Sequence, residues 1–223
     1  MSEKVRLDEQ AMALRVVREF SNGDVVNLGH GLPVLASNMV APDIEVLFHT
    51  ENGILGFGEV TAPGEGDHDV INASGQMVTP QNGMSFFDQA EAFSMIRGGH
   101  VDISVLGAYQ VSEKGDLSNW KLPTRKYGTI GGGMDLAAGA KRVIAVMCHT
   151  TRNGDSKILK KCTYPITAPG CVKIIVTDIA VIEVVNTGLV LKETAPGWTP
   201  EEVQNLTEPT LFIAPDCHEI ALL

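Results

Sequence analysis

The chain has 223 residues, 44% hydrophobic and 20% charged, a composition that excludes a disordered protein and predicts a folded globular one. Its formal net charge is -10, and no basic cluster stands out beyond Lys157, Lys160 and Lys161, so we expect no nucleic-acid partner. At this length we predict a single domain over residues 1–223 with a full core.

Two segments bear on where the protein resides. Met1–Arg6 is charged and lacks the apolar region of a signal peptide. Val172–Val185, the longest apolar stretch, contains charged residues and is too short to span a bilayer. We therefore expect a soluble, cytoplasmic protein with no membrane contact.

The chain opens with a helix, which starts at Asp8 and is stopped by Asn22-Gly23. One face of this helix carries four apolar residues at helical spacing: Ala11, Leu14, Val17 and Phe20. Val25–Leu28 then reads as a strand, and after a glycine turn residues 35–40 are compatible with a second helix.

The next predicted strand, Glu45–Phe48, leads to Glu51 and an Asn52-Gly53 break. A glutamate at a strand end is ionised at neutral pH, and neighbouring glycines let a ligand approach the backbone. Such a carboxylate can act as a nucleophile without a helper base. By itself the pattern is more simply a solvated strand end before a turn.

Farther along the chain, strands and helices alternate. Asp102–Gly107 and Arg142–Met147 are short apolar runs, typical of strands buried on both faces of a parallel sheet. Helical patterns occupy Ser85–Ile96 and Asp135–Lys141. This alternation predicts an α/β fold with a mainly parallel open sheet and helices on both faces.

The C-terminal part predicts a hairpin and a short helix. Val181–Val185 and Leu189–Lys192 flank an Asn-Thr-Gly turn and indicate an antiparallel pair. Thr199–Glu202 combines an N-cap, a proline at the first helical position and a glutamate three residues after the cap. We predict a C-terminal antiparallel hairpin followed by one last helix.

The cysteines do not form a metal-binding pattern. None is in a CxxC pair, and in a cytoplasmic chain we expect reduced, mostly buried thiols. Cys148-His149 and Cys217-His218 are adjacent pairs, and adjacent residues on a strand point to opposite faces. We expect no metal site.

Two glycine clusters are candidates for ligand binding. Gly131–Gly133 precedes the helix at 135–141, where unpaired N–H groups at a helix start can hold an oxyanion; a plain helix entry is the alternative. Gly29 and Gly31 follow a strand as in a dinucleotide fingerprint, but Val34 replaces the third glycine, so we do not favour a dinucleotide site.

Taken together, the segments resemble the B (beta) subunit of the family I coenzyme A transferases, the group that includes the 3-oxoacid CoA-transferases. The resemblance runs from about Val26 to Val203. Five segments in the same order carry it: Asn27–Pro33, Glu51–Gly56, Ile96–His100, Gly115–Trp120 and Gly132–Leu136.

The resemblance implies a CoA-transferase-like fold and a ping-pong reaction that moves CoA from a short-chain acyl-CoA to a carboxylic, 3-oxo acid. Glu51 is the implied nucleophile, which forms a glutamyl-CoA thioester, and the N–H groups of Gly132 and Gly133 are the implied oxyanion hole. Coenzyme A is then a substrate, and no bound cofactor is expected. Further residues implied to contact substrate or CoA are Gly29, Gly31, Asn52, Gly53 and Gly131.

The resemblance also implies a partner, the A (alpha) subunit, in a heterotetramer or larger assembly that is the complete enzyme. The sequence departs from the family pattern in four places: Thr50 replaces a serine, Gly133 an alanine, His30 an aliphatic residue, and Pro123-Thr124 the common Pro-Gly ahead of the glycine cluster. The first two changes are small. If His30 faces the acyl pocket, its size and polarity alter the choice of substrate.

Other interpretations remain open. The same scaffold could serve as a non-enzymatic module that binds acyl-CoA or a sugar phosphate, or as an acyl-CoA hydrolase. Arg97–His100 is more simply a helix end and turn than a catalytic segment. For Asn119-Trp120 we favour a turn residue and an aromatic core anchor over a role in lining the acyl channel, and Asp135 complements a helix dipole.

Overall fold

The computed structural model describes residues 4–62, 64–129 and 131–221. Within them the strands are β1 Val25–Leu28, β2 Leu47–Thr50, β3 Ile54–Val60, β4 Val78–Phe86, β5 Ile103–Gly107, β6 Gln110–Ser112, β7 Leu117–Ser118, β8 Arg142–Met147, β9 Ile158–Leu159, β10 Val172–Thr177, β11 Ala180–Val185, β12 Gly188–Thr194 and β13 Leu211–Glu219. The helices are α1 Glu9–Val17, a 3₁₀ helix Leu32–Asn38, α2 Gln89–Arg97, α3 Gly133–Gly139 and α4 Pro200–Asn205.

Ten of these strands form one sheet, whose central five strands are parallel. The central order is β10-β8-β5-β1-β2. From β1 the chain adds β2 on one side and later β5 on the other, so the direction of winding reverses at β1. In such sheets a crevice opens at the carboxyl ends of the strands beside this reversal, and ligands bind there.

Antiparallel strands extend the sheet on both sides. β3 and β4 follow β2, and β11 and β12 follow β10, with β13 parallel to β12 at the edge. The predicted mainly parallel sheet and C-terminal hairpin are confirmed. The antiparallel β3–β4 pair and the edge strand β13 were not predicted.

Helices cover both faces of the sheet, as predicted. Consecutive residues of a strand alternate between two hydrophobic clusters; on β8, for example, Ile144 belongs to one and Ala145 to the other. The first cluster packs against α1 and the 3₁₀ helix. The second packs against α2, α3 and α4.

Several element boundaries agree with the sequence. β1 and β8 occupy the predicted residues, and Thr199 is the N-cap of α4, with both hydrogen bonds of a capping box. Arg97 ends α2 and Gly99, at φ 75°, turns the chain toward β5, the helix end expected for this segment.

The predicted bounds of four other elements differ from those in the structure. The helix predicted over Ser85–Ile96 begins only at Gln89, capped by Asp88, because residues 78–86 pair with β3. The helix predicted over 35–40 is the 3₁₀ helix Leu32–Asn38, and the strand predicted over Glu45–Phe48 is β2. α3 begins two residues before the predicted Asp135.

The buried face of α1 also differs from the predicted one. Of the four predicted residues, Val17 and Phe20 are buried but Ala11 and Leu14 are only half-buried. Met12 and Val16 are buried in addition. Arg15 is buried on the same side because it donates two hydrogen bonds, of 2.8 and 2.7 Å, to the carboxylate of Glu193 on β12.

The structure describes only part of the segments on which the prediction of localisation depends. Residues 1–3, which were used to argue against a signal peptide, lie outside the described residues. Among the residues that the structure describes, no helix combines the length and apolar character needed to cross a bilayer.

Candidate active site

A cavity of about 600 Å³ opens at the carboxyl ends of four adjacent parallel strands. Glu51 follows β2, Gly29 follows β1, Gly107 ends β5 and Met147 ends β8, and all four residues line the cavity. The cavity thus lies at the reversal of winding, where the topology predicts a ligand site.

Glu51 and the glycine cluster meet in this cavity, and Gly131, Gly132 and Gly133 line it together with Glu51. A Cβ atom placed on Gly132 would lie 3.7 Å from Oε1 of Glu51 and 3.1 Å from the ring of Phe93. The carboxylate therefore faces the start of α3, whose first N–H groups have no partner within the helix.

The other carboxylate oxygen of Glu51 contacts a buried side chain of the central strand. The amide nitrogen of Asn27 lies 3.2 Å from Glu51 Oε2 and 3.1 Å from Nδ1 of His49. Asn27 pairs in register with His49 on β2 and with Ser104 on β5. A polar row of three fully buried residues, Asn27, His49 and Ser104, thus crosses the sheet beneath Glu51.

This polar row is unusual for the middle of a sheet because it is incompletely hydrogen-bonded. Asn27 Oδ1, His49 Nε2 and Ser104 Oγ have no partner among the described residues. The His49 ring stacks on Phe87 at 5.9 Å, and burial lowers the pKa of His49 to about 4, so the ring is neutral at pH 7. Sequence analysis missed Asn27 as a functional residue because it lies inside an apolar strand.

Of the other residues proposed from the sequence to contact substrate or CoA, some line the cavity and others do not. Gly29 lines the cavity, and a Cβ there would lie 3.0 Å from the carbonyl oxygen of Val105. Gly31, Asn52 and Gly53 do not line it. Gly53 has φ 109°, and a Cβ there would lie 2.0 Å from the carbonyl oxygen of Phe87, so it shapes the turn that presents Glu51.

Asn119 and Trp120 line the cavity, contrary to the interpretation favoured from sequence, which placed Trp120 in the core. The Asn119 amide donates to the carbonyl of Gly107 at 3.1 Å and its oxygen accepts from Thr167 at 2.7 Å. These bonds fix Asn119 beside Gly133, because a Cβ on that glycine would lie 3.8 Å from the Asn119 amide.

His30 also lines the cavity. Its side chain is exposed, and Nδ1 lies 3.0 Å from the hydroxyl of Ser74. A polar ring is therefore present where the family pattern has an aliphatic residue.

Lys157 was not identified from sequence as a site residue. It precedes β9, lines the cavity, and is half-buried; burial lowers the pKa of its ammonium group. Lys157 follows a polar segment that suggests an exposed loop. The sequence does not predict its burial, because the residues that cover it come from elsewhere in the chain.

The cysteines are free thiols. Cys162 is buried, and Cys171 and Cys217 are half-buried; Cys148 is exposed, which corrects the expectation for that residue. Burial raises the pKa of Cys162 and of Cys171 to about 11. Across the described ranges, no three His, Cys, Asp or Glu side chains gather as metal ligands would.

Comparisons of sequence give a consistent result. Residues 10–206 match the model of the family described as coenzyme A transferase. The chain is 48% identical over 203 residues to the B subunit of 3-oxoadipate CoA-transferase from Pseudomonas putida (strain KT2440), covering 91% of this chain and 95% of that protein. It is 45% identical over 206 residues to the beta subunit of a probable coenzyme A transferase from Bacillus subtilis (strain 168), covering 92% of this chain and 95% of that protein.

The fold is similar to that of solved structures. Glutaconate coenzyme A-transferase from Acidaminococcus fermentans aligns with a TM-score of 0.73 at 19% identity, over 99% of this chain and 92% of that one. An acyl-CoA transferase from Escherichia coli O157:H7 aligns with a TM-score of 0.75 at 20% identity, over 100% of this chain but 44% of that one.

Proposed function

We propose that this chain, which belongs to the family I coenzyme A transferases as a homologue of their B (beta) subunits, reacts through a covalent intermediate on Glu51. Its activity is that of a CoA-transferase. The observation that carries the proposal is the meeting of the Glu51 carboxylate and the start of α3 in one cavity. A nucleophile and donors for an oxyanion are then available in the same place.

The proposed reaction consists of nucleophilic exchanges with no net proton transfer. A Glu51 oxygen attacks the thioester carbon of a short-chain acyl-CoA, the C–S bond breaks, and CoA leaves as a thiolate. The thiolate attacks the glutamyl carbonyl of the resulting mixed anhydride and releases the donor acid, which leaves a glutamyl-CoA thioester. The carboxylate of an acceptor acid, such as a 3-oxo acid, then runs both steps in reverse and regenerates Glu51.

The residues around Glu51 support the second attack, that of the CoA thiolate on the glutamyl carbonyl. The N–H groups of Gly132 and Gly133, at the positive end of α3, are the proposed donors to the oxyanion that forms at Oε1. A donor of this kind contributes about 3–4 kcal/mol to transition-state stabilisation. Asn27 holds the second oxygen, so the carboxylate keeps one orientation through the exchange.

The assembly, the location and the roles of the other glycines are also proposals. Since a relative with 48% identity is named as the B subunit of its enzyme, we propose an A (alpha) subunit as partner, in a cytoplasmic heterotetramer. CoA enters as substrate. Gly29 and Gly131 are proposed to contact the acyl group or CoA because they line the cavity; Gly31, Asn52 and Gly53 are proposed to act by shaping the turns around it.

Trapping the intermediate tests the mechanism. Incubation of the co-expressed pair of chains with acyl-CoA, without acceptor, adds the mass of CoA, less water, to the peptide that contains Glu51. Glu51→Gln abolishes the adduct and lowers kcat by at least about 10⁴-fold, since the covalent route is lost. The exposed Glu59→Gln serves as the matched control and forms the adduct normally.

Two outcomes would reject the mechanism. One is an unlabelled Glu51 peptide together with full transferase activity in Glu51→Gln. The other is steady release of free CoA without transfer to any acid, which would identify an acyl-CoA hydrolase. Binding of acyl-CoA without turnover would instead correspond to the non-enzymatic alternative, which family membership does not favour.

A further inference from the structure

His49 is a buried histidine that the reaction proposed above does not involve. It lies on β2, two residues before Glu51, and is not among the described residues that line the cavity. Within the described part of the chain, the side-chain hydrogen bond of its ring joins Nδ1 to the amide nitrogen of Asn27, at 3.1 Å. His49 is therefore placed to act on Glu51 through Asn27 and not through substrate.

The carboxylate of Glu51 determines the direction of these hydrogen bonds. A carboxylate only accepts, so the Asn27 amide presents its nitrogen to Glu51 Oε2, 3.2 Å away. The same nitrogen donates to Nδ1 of His49, so the neutral ring carries its proton on Nε2. With the proton on Nδ1 instead, the amide would turn its oxygen toward both groups and lose the bond to Glu51.

The Asn27 amide has few other constraints. In the described ranges its oxygen has no partner, and neither has the hydroxyl of Ser104, the residue paired with Asn27 on β5. Two contacts of the nitrogen, to Glu51 and to His49, therefore hold the amide. Glu51 loses its negative charge in the proposed anhydride and thioester, and hydrogen bonds to charged acceptors are the stronger ones. Only the bond to His49 is unaffected by the reaction.

The ring of His49 is itself held in place. It stacks on Phe87, with ring centroids 5.9 Å apart and 20° between the planes. Burial, opposed by a smaller effect of the Ala92 backbone, lowers the pKa of His49 to about 4. The ring is therefore neutral at pH 7 and keeps one acceptor nitrogen for Asn27.

We propose that His49 is a positioning residue, whose Nδ1 holds the Asn27 amide so that its nitrogen keeps facing Glu51 throughout the reaction. The inference rests on the proposed function, because the orientation of Glu51 matters for the rate only if Glu51 reacts. Holding a reacting group in place lowers the barrier, since less freedom is lost on reaching the transition state. His49 thus contributes to kcat without contacting substrate.

A double-mutant cycle with Asn27 tests this route in the co-expressed pair of chains. His49→Leu removes the acceptor, and we expect kcat to fall about 3- to 10-fold, the value of one hydrogen bond between neutral groups. The KM for acyl-CoA stays constant, because His49 does not line the cavity. In an Asn27→Ala background the same substitution lowers kcat no further, because the two residues act as a unit.

Three further variants complete the experiment. His49→Asn keeps an acceptor oxygen close to the position of Nδ1 and retains most of kcat. His68→Leu makes the leucine substitution at an exposed histidine and leaves kcat unchanged. If His49→Leu does not fold, His49→Met takes its place in the cycle, because methionine adapts to irregular space in a core.

The outcomes separate this inference from the proposed function. If the original pair forms no adduct on Glu51 and transfers no CoA, the proposed function fails. If transfer occurs and His49→Leu keeps the full kcat, the role of Glu51 stands and the assignment of His49 is wrong. The assignment is also wrong if His49→Leu lowers kcat equally in the Asn27→Ala background, or if His49→Asn loses as much activity as His49→Leu. A raised KM with constant kcat would overturn it as well.

Discussion

At the scale of single residues, the central observation is that a buried amide holds the proposed nucleophile. Asn27 bridges Glu51 and His49, and the whole polar row is sealed from water. Hydrogen bonds in such surroundings are strong, and the neutral His49 adds no charge that would compete for the carboxylate. Glu51 therefore faces the cavity in a fixed orientation.

We expect Asn27→Ala to lower kcat by about 10- to 100-fold, the effect of losing one oriented hydrogen bond to a charged group. The value of KM for acyl-CoA changes little, because Asn27 does not line the cavity. Steady-state kinetics and the rate of CoA labelling at Glu51 measure both effects.

Asn82→Ala, which makes the same substitution at an exposed position, is the control and leaves kcat unchanged. An unchanged kcat in Asn27→Ala would show that Glu51 is oriented by other contacts. A large rise in KM with constant kcat would instead assign Asn27 to substrate binding.

At the scale of secondary structure, the pairing of α2 with α3 determines where the glycine cluster lies relative to Glu51. A Cβ on Gly139 would lie 2.3 Å from the carbonyl oxygen of Ile96 at the end of α2. Arg97 adds a 2.7 Å ion pair to Asp135 in the first turn of α3. Both contacts join the same two helices, and the absence of a side chain at Gly139 allows the approach.

Gly139→Ala is therefore expected to destabilise the chain by about 1–3 kcal/mol, because the added methyl group forces α3 away from the backbone of α2. The shift also moves Gly132 and Gly133, so kcat falls. Urea unfolding and steady-state kinetics measure the two effects.

Ala138→Ser, at the exposed neighbouring position of the same helix, is the control and changes both quantities little. Normal stability in Gly139→Ala would mean that the two helices are not held at this distance.

At the scale of the whole molecule, two buried histidines make stability depend on pH. His149 lies between the hydroxyls of Thr177 and Thr207, at 3.0 and 2.9 Å, and burial lowers its pKa to about 4, as it does for His49. In the unfolded chain both rings have the ordinary value of about 6.5. Between these values the unfolded chain binds more protons, so acid favours unfolding.

The contribution of the two neutral histidines to the free energy of unfolding is therefore expected to be fully present above about pH 6.5. It is lost progressively as the pH decreases toward 4. Each buried histidine contributes a slope of about 1.4 kcal/mol per pH unit inside this window. Urea unfolding at pH 7, 6 and 5 measures the total slope.

His149→Asn lowers that slope by about the contribution of one histidine. His68→Gln, which changes an exposed histidine, leaves it unchanged. Equal slopes in the original chain and in His149→Asn would show that His149 is protonated in the folded state.

The sequence by itself determined those features that depend on neighbouring residues. Unbroken apolar runs identified β1 and β8, since strands buried on both faces need apolar side chains in succession. The Thr199 cap identified α4, because its hydrogen bonds involve residues three apart. Five ordered segments also identified the family and, with it, Glu51 as the candidate nucleophile.

Only the tertiary structure decided which distant residues meet. Residues 78–86 form a strand through pairing with β3, and Arg15 is buried because Glu193 lies opposite. Asn27 reaches Glu51, and Lys157 reaches the cavity lining, from parts of the chain remote in sequence. Pairing and burial of this kind depend on partners supplied by the fold, so no local pattern of residue types encodes them.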